Sequence, residues 1–181
     1  LSMGTLALAM LGIISLAPVL AEVLNPVIVP VYRFFGADPA MFAGTILACD
    51  MGGGPLAQQM SSDPQAALFG GVLCGSMLGA VIVFTIPVAL GILDESDRPA
   101  MAKGILCGIV TIPVGILTGG LVAGFPVVMV LKNLIPIVLI AALIALGLWK
   151  AEKAMIKGFA AFGKGVVAVI TAGLALAVAE A

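Results

Sequence analysis

Residues able to do chemistry are few in this chain. It has 8 Lys and Arg, 9 Asp and Glu and no histidine across 181 residues. Nearly all of those charges fall in the polar stretches between apolar runs, and Asp50 does not. It sits in the middle of FAGTILACDMGGGPLAQQM (Phe42–Met60), away from other charges. A carboxylate at the centre of a membrane segment costs about 2.5–3.5 kcal/mol on insertion scales, so it is expected to face a cavity or a partner. The residues after it sharpen the signal. Gly52, Gly53 and Gly54 disfavour a continuous helix, and Pro55 has no N–H to donate but suits the first turn of a new helix. The segment is therefore predicted to break around residues 50–55, with a second half-helix, Pro55–Met60, carrying Gln58 and Gln59.

Unwound backbone beside a carboxylate at mid-depth is how secondary transporters build substrate sites. An ionised Asp50 at the C-terminal end of the first half-helix adds to that helix's negative dipole end, which suits a small cation. Thr45 shares a helix face with Cys49, and Thr45, Gln58 and Asn133 could hydrogen-bond a polar substrate. The competing reading makes Asp50 a cap that accepts from the glycine N–H groups. Phe42 could add a cation–π contact, about 0.5–2 kcal/mol, although ordinary packing is the commoner role of such a ring. Lys132 and Lys164 lie near span ends, where their stems can snorkel to the interface.

Other chemistries lack their parts. Cys49, Cys74 and Cys107 are isolated in apolar runs, so neither a disulfide framework nor a metal site is expected, and no cofactor is implied. An intramembrane aspartyl protease needs two membrane carboxylates, and only Asp50 lies mid-span. Phosphotransfer would need an acidic metal-binding cluster. The net charge of −1, with no basic patch, argues against nucleic acid. The chain is not expected to be an enzyme.

The elements that must position Asp50 are membrane helices. Hydrophobic residues make up 62% of the chain and charged residues 9%, with a mean hydropathy of +1.30. Soluble domains carry roughly a quarter charged residues. The predicted fold is an all-α integral membrane protein, one transmembrane domain over 1–181 with about six membrane segments. These are Leu1–Ala21, the broken Pro39–Met60, Ala66–Leu93, Ala100–Gly124, Phe125–Trp149 and Phe159–Ala179, with an interfacial stretch, Glu22–Asp38, between the first two. Leu1–Ala21 lacks the basic leader of a signal peptide, because no Lys or Arg precedes Arg33. Both ends are expected to be cut from a longer transporter.

The loops predict orientation. Lysine and arginine in Asp94–Lys103 and Lys150–Lys157 place both loops on the cytoplasmic side, since the hairpin between them crosses twice. Pro18, Pro87, Pro113 and Pro136 are predicted to kink their helices and shape a bundle. Gly70, Gly71, Gly75, Gly79, Gly104 and Gly108 predict close helix–helix packing, and such faces are compatible with a homo-oligomer.

The stretch PVLAEVLNPVIVPVYRFFGADPAMFAGTILACDMGGGPLAQQM resembles the ethanolamine utilisation transporter family, EutH. The likeness continues through IVFTIPVALGILDESDRP, GIVTIPVGILTGGL and NLIPIVLIAALIALGL. It implies an ethanolamine permease of the bacterial inner membrane, and this chain would be most of its first half. Gly54 departs from the bulky residue expected of the family at that place, and the turn Gly124–Pro126 is shorter than the family's loop. Facilitated diffusion is the expected mode, as no nucleotide-binding motif is present. Protonated ethanolamine would pair its ammonium with Asp50 and its hydroxyl with Thr45, Gln58 or Asn133. The alternatives are a non-transporting membrane subunit, or a transporter of another small cationic or polar solute.

Overall fold

A computed structural model describes residues 22–179, with side chains through residue 168. The predicted span Leu1–Ala21, with Pro18, lies outside the described residues. Within them the chain is helical and no strand forms. Helix α1 covers 22–34, α2 Ala40–Ile46, α3 Gly54–Met60, α4 Pro64–Ile92, α5 Arg98–Val122 and α6 Val127–Ala179.

Among the described residues three helices are long and apolar enough to cross a membrane: α4 (29 residues), α5 (25 residues) and α6. The 42 residues of α6 with described side chains would measure about 63 Å if straight, twice a bilayer core. The helix instead breaks at Ala151 (φ −147°, ψ 48°) and folds back. Gly147 packs against the Met155 side chain, and Ile140 and Phe162 line one cavity. The predicted basic loop Lys150–Gly158 is therefore helical apart from Ala151. Its sequence, KAEKAMIK, is made of strong helix formers, and that propensity outweighs the charge that suggested a loop.

The largest departure from expectation concerns Pro39–Met60. The chain is non-helical at Leu47, Ala48, Met51 and Gly52, a break that starts before the expected 50–55, and its two halves do not continue in one direction. Helix α2 ends at Ile46, Leu47 and Ala48 are extended, and Gly52 takes a φ of +93°, a conformation that costs glycine little. The N–H groups of Met51 and Gly53 both donate to the Ala48 carbonyl, at 3.0 Å each, which closes the turn. Ala40 and Ala43 of α2 then pack against Leu56, Ala57 and Met60 of α3. At the open end the Ser61 hydroxyl donates to the Asp38 carboxylate (2.9 Å). Residues 38 and 61 lie side by side, so the segment enters and leaves at the same end. It is a re-entrant hairpin. Two seven-residue helices, each about 10 Å long, could not cross a bilayer singly.

Helix α4 seats this hairpin. Gly70, Gly71, Gly75 and Gly79 line a groove where backbone meets backbone. A Cβ on Gly79 would overlap the Leu47 carbonyl oxygen, and one on Gly44 would overlap that of Gly70. Over Phe69–Gly79 and Val81–Thr85 the helix is wound more loosely, with i→i−5 hydrogen bonds. Gly104 and Gly108, grouped with these glycines by sequence, face open space, where an added Cβ would meet nothing within 4 Å. Pro87 falls at the start of the regular helix that ends α4, while α5 and α6 run on through Pro113 and Pro136.

The two ends of the bundle are distinct. At one end Lys103 of α5 pairs with Glu152 of α6 (2.9 Å), which puts the two charged loops together. Arg98 there donates to the Leu90 carbonyl (3.2 Å) at the C-terminus of α4. The hairpin's open end and the α5–α6 turn, with Gly124 at φ +81°, lie at the other end. The core between them joins Met41, Phe69, Leu78, Ile109, Ile116, Val130 and Ile137.

Candidate functional site

The open end of the hairpin is a hydrogen-bonded polar cluster. The Asp38 carboxylate accepts from the Ala40 N–H (2.8 Å) and from the Ser61 hydroxyl. Its backbone N–H donates to the Asn133 side-chain oxygen (2.6 Å), which reaches over from α6. Asn133 is buried, so its side chain needs such a partner. One carboxylate and one amide thus tie both legs of the hairpin to α6. Beside them opens a cavity of about 600 Å³, whose walls carry Arg33, Asp63, Lys132 and Asn133. The pairing of Asp38 with Ser61 has no sequence signal, because the two are 23 residues apart. An Asp followed by a Pro before a helix was the one available hint.

The tip of the hairpin is the opposite. Leu47 lies against Gly79, and Ala48 and Met51 bury themselves with Val83. Residue 79 is halfway along α4, so the tip reaches mid-depth of the bundle. Asp50, beside these buried residues, is exposed. Among the described residues no hydrogen bond or ion pair to its carboxylate is found. The capping role is not seen: α3 starts at Gly54 without a side-chain cap, and the Gly53 N–H is taken by the Ala48 carbonyl.

Thr45 occupies a third environment. It is buried, its hydroxyl donates to the Phe42 carbonyl (2.7 Å), and it is the one hydroxyl on the wall of an apolar cavity of about 400 Å³. That cavity lies between the hairpin, α4, α5 and both arms of α6, with Ile82, Ile109, Ile144 and Phe159 among its walls. Gln58 is exposed on α3 and lines neither cavity. The four candidates are therefore not gathered into one pocket: Asn133 stands at the rim, Asp50 and Gln58 on the outer surface, and Thr45 inside. Of the glycines, Gly52 lies in the break with its positive φ, whereas Gly53 has helical dihedrals at the N-cap of α3 and Gly54 and Pro55 begin that helix. Phe42 meets the Tyr32 ring edge to face (6.4 Å) and so serves in packing, and Lys132 borders the rim cavity. Lys164 is exposed.

The family profile described as "Ethanolamine utilisation protein, EutH" matches residues 1–181. The chain is 61% identical over 174 residues to a protein of Listeria monocytogenes serotype 1/2a (strain 10403S) named probable ethanolamine permease EutH, covering 96% of this chain and 47% of that one. It is 56% identical to the uncharacterized protein YxeR of Bacillus subtilis (strain 168), with the same two coverages, 96% and 47%. A protein of Escherichia coli (strain K12), also named probable ethanolamine permease EutH, is 53% identical over 193 residues, covering 99% of this chain and 47% of its own length. The chain thus spans about half the length of the curated relatives it matches. No solved structure matches it.

Proposed function

The chain belongs to the ethanolamine utilisation protein EutH family, and from that premise we propose that it forms part of a permease that carries protonated ethanolamine across the bacterial inner membrane by facilitated diffusion. The observation that carries this reading is Asp50: a carboxylate without a partner among the described residues, held at mid-depth on the tip of a re-entrant hairpin. An ammonium passing this point would exchange part of its hydration for a full negative charge, in a setting where that attraction is weakly screened. Asn133, Thr45 and Gln58 are the proposed hydrogen-bonding partners of the hydroxyl. The lysine-bearing loops, 94–103 and 150–157, would face the cytoplasm, so the rim cavity would open outward.

The test is uptake of labelled ethanolamine by cells or vesicles carrying the full-length protein. It is run at acid pH, where the neutral amine cannot leak through the bilayer. Asp50→Asn is expected to abolish uptake while the protein still inserts in normal amount. Undiminished uptake by that variant would overturn the counter-ion role of Asp50.

A further inference from the structure

The tip of the hairpin has two faces, and the bundle accounts for one of them. Leu47, Ala48 and Met51 are packed against Gly79 and Val83 of α4, while Asp50 is exposed at the same depth. In a bilayer that exposed face would meet hydrocarbon. Lipid tolerates neither an ionised carboxylate there nor a stretch of non-helical backbone, and Leu47, Ala48, Met51 and Gly52 all lack helical dihedrals. Irregular backbone survives at such depth only against protein or in a water-filled cavity that protein encloses. The described part of this chain supplies neither on the Asp50 side, as Asp50 lines neither cavity.

We propose that the Asp50 face is covered by the part of the full-length protein that lies beyond this chain, so that the cation site is formed between two halves of the transporter. The inference rests on Asp50 being the cation site and adds which part of the molecule completes it. The relatives supply such a part, for this chain covers 47% of their length. Transporter folds commonly bring two halves together around broken helices at the bilayer midplane. A second copy of this chain fits less well. A two-fold interface places the same patch on both sides, which would bring two Asp50 carboxylates, like charges, toward each other.

The experiment uses the full-length protein with a protease site inserted between this chain and the remainder. A photoreactive amino acid replaces Asp50 and, in a second variant, Cys49, which is half-buried at the same tip. After illumination in membranes the protein is cut and separated under denaturing conditions. The two parts are expected to remain joined at the mass of one uncut protein, from at least one of the two positions and only after illumination. Adducts at the mass of a dimer would overturn the proposal in favour of a second copy. Parts that separate from both variants, with the probe spent on lipid, water or this chain's own residues, would overturn it as well. The readout is independent of transport. A joined product with normal uptake by Asp50→Asn would leave the interface standing and remove the counter-ion role, and the reverse pattern would do the opposite.

Discussion

Asp38 and Asp50 stand on the same re-entrant hairpin, one at its base and one at its tip, and the fold treats them in opposite ways. Asp38 spends its carboxylate on the Ala40 N–H and the Ser61 hydroxyl, while Asn133 holds its backbone N–H. Asp50 is exposed beside buried Met51. The base is held by side-chain hydrogen bonds, the tip by backbone pressed into a glycine groove. A carboxylate with a protein donor on each oxygen positions the chain. One left open at depth is available to a ligand.

The contrast is broken most severely through the seat of the tip. Gly79→Ala would drive a Cβ into the Leu47 carbonyl oxygen, where no flexible side chain can yield. Overpacking of this kind costs about 1–3 kcal/mol and sometimes more, and a clash with backbone belongs at the upper end. The expected outcome is little monodisperse protein on size-exclusion chromatography of solubilised membranes, and normal yield would show that the tip is not seated as described. Asp50→Asn should separate stability from transport, with melting of the purified protein shifted by no more than about 0.5 kcal/mol while uptake is lost. A strongly destabilised variant would mean that Asp50 has a structural partner after all.

At the base the expectation reverses. Asp38→Ala strands the Ser61 hydroxyl and the Ala40 N–H, a loss of about 1–3 kcal/mol, yet uptake per folded molecule should persist. Uptake lost without loss of stability would move Asp38 into the transport site and erase the distinction between the two carboxylates. Ser61→Ala removes one of those bonds and should cost about 1 kcal/mol in the same melting measurement. Gly108→Ala, on the open face of α5, should change melting by less than about 0.5 kcal/mol. A large effect there would reveal a packing partner on that face.

The sequence announced the hairpin's break and misjudged its course. Glycine, proline and a lone carboxylate are local signals, and they placed the turn within a few residues. Whether two half-helices continue or fold back depends on what each meets in space, which is the Gly70–Gly79 groove of α4 and the Asp38–Ser61 bond. The glycine pattern could not tell a groove from an open face, so Gly79 and Gly108 read alike. Lys150–Lys157 misled in another way. Charge suggested a loop where helix propensity prevailed and one residue, Ala151, made the turn.

Composition alone determined that this is a helical membrane protein, because so few charges cannot cover a soluble surface and lipid leaves the backbone few ways to satisfy itself. It also singled out Asp50, since the cost of burying a charge depends on residue type and surroundings that are readable in one dimension. Only the tertiary structure decided that Pro39–Met60 returns to the side it came from. It also decided that Asp38 is satisfied while Asp50 is not, and that Thr45, Asn133 and Asp50 stand apart. Those outcomes depend on contacts between residues distant along the chain, where a hydrogen bond or a close backbone approach forms only if the geometry of both partners allows it.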